Sequence, residues 1–157
     1  MTHKTIMGID LAKHLFQVCM VNHKGTLKTH TTVARGKLLA FMARQPPALV
    51  VMKACGGAHD WACRFRAAGH EVRLLAPQYV VPFRHGQKND PNDALALTDA
   101  GRRPSIPSVP VTSVEPQEIQ ALHRVRERLV NNRTALGNHI RGLLLEYGII
   151  IPQGLSR

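Results

Sequence analysis

Three aspartates stand out in a chain that is otherwise strongly basic. Asp10 follows Met7-Gly8-Ile9 directly, at the end of a short apolar run, and Asp90 and Asp93 form a D-x-x-D pair. A carboxylate that closes a strand sits at a sheet edge, where a ligand or metal reaches it, although the same position also suits a turn or cap. Two carboxylates at i, i+3 spacing face one side of a helix. Near a helix start they also favour the positive end of its dipole. Taken together, three hard oxygen donors suit a divalent cation such as Mg²⁺, whose charge several carboxylates must offset. Two such ions about 4 Å apart activate an attacking water or hydroxyl and stabilise the leaving oxygen in phosphoryl chemistry.

The elements that must position these acids are legible in the spacing. Thr5 to Asp10 reads as a strand, and His14 to Val21 as a second. Asn22-His23-Lys24-Gly25 marks a turn in which Gly25 is free to take positive φ, and Thr26 to Val33 returns as a threonine-rich strand. An antiparallel meander is predicted. Gly36 to Arg44 suits a short helix, and Ala48 to Ala54 holds Leu-Val-Val-Met, an apolar run expected of a strand buried on both faces. Ala58 to Ala68 reads as a helix stopped at Gly69, and Glu71 to Leu75 as a strand. Pro77 to Gly86 has room for one helical turn, and Pro91 to Ala100 reads as a helix with Asp90 as N-cap. The order β-β-β-α-β-α-β, with helices between the later strands, predicts that those strands are parallel. An Asp ending the first strand of such a meander, with an acidic pair opening a later helix, is how ribonuclease-H-like sheets build a two-metal site.

Pro104, Pro107, Pro110 and Pro116 mark a linker. Beyond it one long helix is expected to about Tyr147. Ile119, Leu122, Arg126, Leu129, Arg133, Leu136, Ile140, Leu143 and Tyr147 follow a 3-4 spacing. Such a stripe makes either a coiled-coil seam or an amphipathic face packed on another domain. The domain reading is therefore 1–103 for the catalytic-type sheet, 104–114 for the linker, 115–147 for the basic helix and 148–157 for a tail.

Composition narrows the partner. Among 157 residues, 21 Lys and Arg oppose 10 Asp and Glu, for a net charge of +11, which points to a polyanion such as nucleic acid. Aromatics are 4% of the chain, too few for base-stacking platforms. Cys19, Cys55 and Cys63 form no C-x-x-C pair, so a disulfide framework is not expected and a reducing cytoplasm fits. No apolar run is long enough for a membrane span.

Three blocks carry a family resemblance: Met7-Gly8-Ile9-Asp10-Leu11-Ala12-Lys13, Lys53-Ala54-Cys55-Gly56-Gly57-Ala58-His59-Asp60-Trp61-Ala62, and Gln87-Lys88-Asn89-Asp90-Pro91-Asn92-Asp93-Ala94. In order and separation they resemble the DEDD insertion-sequence transposases (the IS-one-ten family, including its eleven-eleven branch). The resemblance covers nearly the whole chain. It implies a mixed α/β sheet with flanking helices, ribonuclease-H-like and close to the Holliday-junction resolvase RuvC, followed by a long helical coiled coil. It further implies DNA transposition and recombination at a Mg²⁺-dependent site, and a structured guide RNA that bridges donor and target DNA. Asp10, Asp90 and Asp93 match the first, third and fourth acids of the family's tetrad, as catalytic and metal-binding residues. The second acid is a Glu in that family, and this chain has Lys53 there. An ammonium in place of a carboxylate shifts the local charge by two units, so Mg²⁺ binding is expected to be weak and catalysis impaired. Asp60 is a distant substitute. The family's C-terminal domain supplies a nucleophilic serine, for which Ser156 has no matching context.

Lys88, Arg124, Arg126, Arg128, Arg133 and Arg141 are the candidate nucleic-acid contacts, with the solvated face of an ordinary helix as the alternative. Arg102 and Arg103 are open to phosphate contact or plain solvation. His59 and Trp61 suit either a nucleic-acid groove or, for Trp61, the core. Two further readings stand beside the transposase: a binding module without chemistry that holds RNA or DNA and associates with a second copy through the helix, and an actin-like sugar kinase or ATPase. Leu11-Ala12-Lys13-His14 lacks the glycine of a phosphate loop, which disfavours the kinase.

Overall fold

A computed structural model of the chain describes residues 5–84, 90–152 and 154. Lys88 and Ser156 lie outside the described residues. The chain divides into two compact units that meet between Ser113 and Val114.

The first unit is a six-stranded sheet: β1 (Thr5–Asp10), β2 (Leu15–Asn22), β3 (Leu27–Ala34), β4 (Leu49–Lys53), β5 (Glu71–Leu75) and β6 (Ser108–Val109). The strand order is β3-β2-β1-β4-β5-β6. The meander forms as its alternation predicts, with β1–β2 and β2–β3 antiparallel, while β1–β4 and β4–β5 are parallel. Asn22 closes the β2–β3 turn by accepting from the Lys24 and Thr26 N–H groups, both at 2.9 Å. Gly25 takes the left-handed conformation that the turn requires, at φ 89°.

Helices cover both faces. On one face, α1 (Leu38–Ala43) and α2 (Ala58–Ala67) enclose a core of Met7, Ile9, Phe16, Val18, Val50, Met52, Trp61 and Phe65. On the other, α3 (Pro77–Val80) and α4 (Asp90–Gly101) cover Ile6, Cys19, Val21, Val51 and Leu75. Strand period assigns these faces, because alternate residues point to opposite sides. Both faces of β4 are therefore apolar, and Val50, Val51 and Met52 are fully buried.

The proline-rich stretch differs from a plain linker. Within it, Ser108 and Val109 pair antiparallel with Leu75 and Leu74 as the edge strand β6. A two-residue edge strand tolerates flanking prolines, since its outer N–H groups need no partner. Arg73 anchors this return by donating to the carbonyls of Gly101 at 2.8 Å and Ile106 at 2.7 Å.

The second unit consists of α5 (Val114–Leu145) and the residues that follow it. No described residue of α5 is buried. Gly148 takes φ 72° and ends the helix, while Ile149 N–H reaches back to the Leu144 carbonyl. Among the described residues, no helix is long and apolar enough to cross a membrane.

Close packing of α4 against β1 depends on Gly8, where a Cβ would run into the Ala94 carbonyl oxygen and crowd Thr98. Backbone cannot yield as a flexible side chain does. Gly8→Ala is expected to lower stability by about 3 kcal/mol, read as a lower urea midpoint with little change in slope.

Candidate functional site

The strand period that builds the core also builds the site. Ile6, Gly8 and Asp10 on β1 share the α4-covered face with Leu49, Val51 and Lys53 on β4. Parallel register sets Ile6 beside Leu49 and Gly8 beside Val51. Two residues further along each strand stand Asp10 and Lys53, at adjacent strand ends. Gly8 lets α4 lie directly on β1, and the first turn of α4 carries Asp93 over the same edge. Three segments distant in sequence thus converge.

Their side chains meet through one ammonium. Lys53 Nζ lies 2.7 Å from Asp10 Oδ1 and donates to Asp93 Oδ2 at 3.1 Å. The Asp10 and Asp93 side chains are only 12% and 14% exposed, and Lys53 is 23% exposed, so these contacts are shielded from solvent. Arg84 adds a second cation, with Nη1 at 3.6 Å from Asp93 Oδ1. Burial works against the charge on Lys53, but the hydrogen bonds and charges of Asp10 and then Asp93 outweigh it. The Lys53 pKa is therefore raised above the ordinary 10.5.

Sequence reasoning named Asp10, Lys53 and Asp93, and the structure brings all three together. Asp90 opens α4 as its first residue. Asp60 stays away, since α2 lies on the opposite face of the sheet and its carboxylate pairs with Arg64 at 3.0 Å. Arg84 was missed, because nothing in its local sequence ties it to an acid nine residues further on.

Other candidates have structural partners. His59 Nδ1 accepts the Thr112 N–H at 3.1 Å, which fixes the strand-like return beside α2. Trp61 packs in the core, 5.4 Å from the Phe16 ring and 5.5 Å from Phe65. Arg102 donates to the Lys24 carbonyl at 3.0 Å, and Arg103 stacks on Phe83 at 4.8 Å. On α5, Arg124, Arg126, Arg128 and Arg133 are exposed. Arg141 is engaged instead, donating to the carbonyls of Pro152 at 3.1 Å and Gly154 at 2.9 Å.

This donor set does not fit a divalent ion. The place within reach of both Asp10 and Asp93 is held by an ammonium, which has no lone pair to offer. A doubly charged ion about 4 Å from that ammonium would meet a repulsion of about 8 kcal/mol at an effective dielectric near 20. Among the described residues, no group of three or more His, Cys, Asp or Glu is arranged to hold a metal.

Comparisons with known proteins agree on one family. Residues 7–149 match the DEDD transposases of the IS110 type, described as "Transposase". The chain is 49% identical over 144 residues to a Pseudomonas aeruginosa protein named "Probable family 20 transposase", covering 92% of this chain and 43% of that one. It is 42% identical to the transposase for insertion sequence element IS1111A of Coxiella burnetii, covering 97% of this chain and 42% of that protein. For the transposase of IS1328 from Yersinia enterocolitica the identity is 40%, over 99% of this chain and 47% of the relative. The chain thus spans less than half the length of these curated relatives. Among solved structures, T. thermophilus RuvC in complex with a Holliday junction substrate superposes with a TM-score of 0.50 at 15% identity, covering 68% of this chain and 100% of that one. That likeness shows a shared fold.

Lys53→Met would leave two largely buried carboxylates without their ammonium, and is expected to cost about 3 kcal/mol at neutral pH. Because the folded-state pKa of Lys53 is raised, its stabilisation is fully present below about 10.5 and is lost as pH rises through the higher folded value. Urea unfolding at pH 8, 10 and 11 should therefore show the gap between the natural chain and Lys53→Met narrowing only at the alkaline end.

Proposed function

The chain belongs to the DEDD transposase family, and from that premise we propose that it is the N-terminal part of an insertion-sequence transposase whose metal-dependent chemistry is impaired while its hold on nucleic acid persists. The family and the RuvC-like fold imply a divalent metal. We assign Mg²⁺ as the ion of the intact site and Asp10, Asp90 and Asp93 as its carboxylates. Held by those carboxylates in an intact site, such an ion would supply Lewis-acid stabilisation of the attacking and leaving oxygens. Here Lys53, at 2.7 Å and 3.1 Å from Asp10 and Asp93, holds the carboxylates by charge and by hydrogen bonds. That single observation carries the impaired reading.

DNA is the proposed substrate. Family membership supports it, as does the Holliday junction held by the RuvC relative of this fold. A structured guide RNA is the second proposed partner. The net charge of +11 suits either polyanion. We assign backbone contacts to Arg124, Arg126, Arg128 and Arg133 on α5, and to Lys88 beside the acidic pair. Arg141 is a weaker candidate, since its guanidinium already holds the chain beyond Gly148. With DNA as partner and its three cysteines free, we place the protein in the cytoplasm.

A binding and self-association role is favoured by a separate observation. Along α5, Ile119, Leu122, Leu129, Leu136, Ile140 and Leu143 are all exposed at heptad-like spacing. We propose that a second copy covers this stripe as a coiled coil, with Arg126 and Arg133 marking where the seam opens to a polyanion.

Two outcomes test the reading. Anisotropy with a labelled DNA duplex should give binding that is unchanged between EDTA and Mg²⁺, and weaker by about 100-fold from 50 to 200 mM salt if about four phosphates are contacted. Cleavage of the duplex in Mg²⁺, or loss of binding in EDTA, would contradict it. Leu129→Glu with Leu136→Glu should convert a dimer to a monomer in light scattering, with the first unit's circular dichroism retained.

A further inference from the structure

Beyond the acidic site, Arg35 is seated on two aromatic rings without a carboxylate partner among the described residues. Arg35 follows β3, and its guanidinium lies 5.7 Å from the Phe16 ring centroid and 5.6 Å from that of Trp61. Arg64, Arg73 and Arg102 each donate to a carboxylate or a carbonyl, and Arg84 is ion-paired with Asp93. Arg35 has no such acceptor among the described residues, and it is exposed. Stacking on rings orients a guanidinium while leaving its edge donors available. Its backbone is fixed too, because Arg35 N–H donates to the His14 carbonyl at 2.8 Å.

The position of this seat relative to the site follows from register. Asp10 pairs with Gln17, Gln17 with Thr32, and Leu15 with Ala34. Asp10, Gln17 and Thr32 therefore form one row on the same sheet face, and the Thr32 hydroxyl donates to Gln17 Oε1 at 3.0 Å. Arg35 stands three residues past that row and two strands across, which places its backbone about 14 Å from Asp10, while its guanidinium lies over the rings of the α2-covered face, so that the two flank the same sheet end from opposite faces. Lys13, His14 and Lys37 are exposed around it, all at the sheet end that carries Asp10. At about 3.4 Å of axial rise per nucleotide, that separation corresponds to about four steps along a duplex.

We propose that Arg35, with Lys37 and Lys13, is a phosphate-binding rim that grips the DNA backbone about four nucleotides from the Asp10 site and sets its register there. The proposal rests on the reading of this chain as a DNA-acting domain. The rim carries no base-reading group, so it acts on any sequence and its contribution is screened by salt. Trp61 and Phe16 position Arg35 without touching the DNA.

The test is a salt series of anisotropy titrations with a labelled duplex and its RNA counterpart, using the full chain. Arg35→Ala with Lys37→Ala should weaken DNA binding about 10-fold at 100 mM salt and reduce the slope of log K against log salt by about two, one per lost contact. Arg44→Ala is the control: Arg44 is exposed where α1 ends, at the opposite end of the sheet, and should change neither quantity. An unchanged slope in the double variant, with the natural chain still bound, overturns the rim alone. An equal effect from Arg44→Ala also overturns it, as does a slope change seen with RNA and not with DNA. Failure of the natural chain to bind DNA overturns the functional reading and the rim together.

Discussion

An ammonium set between two shielded carboxylates ties together β1, β4 and α4. Lys53 touches Asp10 and Asp93, which come from a strand and a helix more than eighty residues apart in the chain. Without a positive group there, folding would bring two like charges together at a site with little solvent to screen them. In a metal-dependent site the counter-charge arrives with the ion. Here it is covalently part of the neighbouring strand, so the site is neutralised as the sheet forms. Arg84 adds a second positive group on the far oxygen of Asp93.

The same contact fixes what the site is able to do. Two-metal chemistry needs lone pairs directed at an ion, and a protonated amine supplies none. The raised pKa of Lys53 keeps it protonated across the neutral range, so the obstacle does not depend on ordinary changes of pH. Shape is retained all the same. The meander, the parallel pair and the tight seating of α4 on Gly8 hold the edge of the sheet as a platform beside a basic surface.

Much of this was legible from residue types and spacing. The meander announced itself through alternation and the Asn22–Gly25 turn, and β4 through an apolar run that only a doubly covered strand accommodates. Asp10, Lys53 and Asp93 followed from strand ends, a helix start and three resembling blocks. Less legible was β6, because two residues between Pro107 and Pro110 carry no periodicity, and their pairing is decided by the free edge of β5. Arg84 was hidden for a related reason: its partner Asp93 stands nine residues on in the sequence, and only the tertiary fold brings them together. Arginines also look alike in sequence. Packing separates Arg102 and Arg141, whose guanidinium groups donate to carbonyls, from the exposed arginines of α5.

The most direct measurement is calorimetric titration of Mn²⁺ and Mg²⁺ into the natural chain and into Lys53→Glu. Removing the ammonium and restoring a carboxylate should leave the natural chain without measurable binding and give the variant clear, saturable heats. Equal binding of ions by the natural chain would contradict the account, since Lys53 would then not occupy the place of the metal. Silence from both proteins would contradict the assignment of Asp10 and Asp93 as metal ligands.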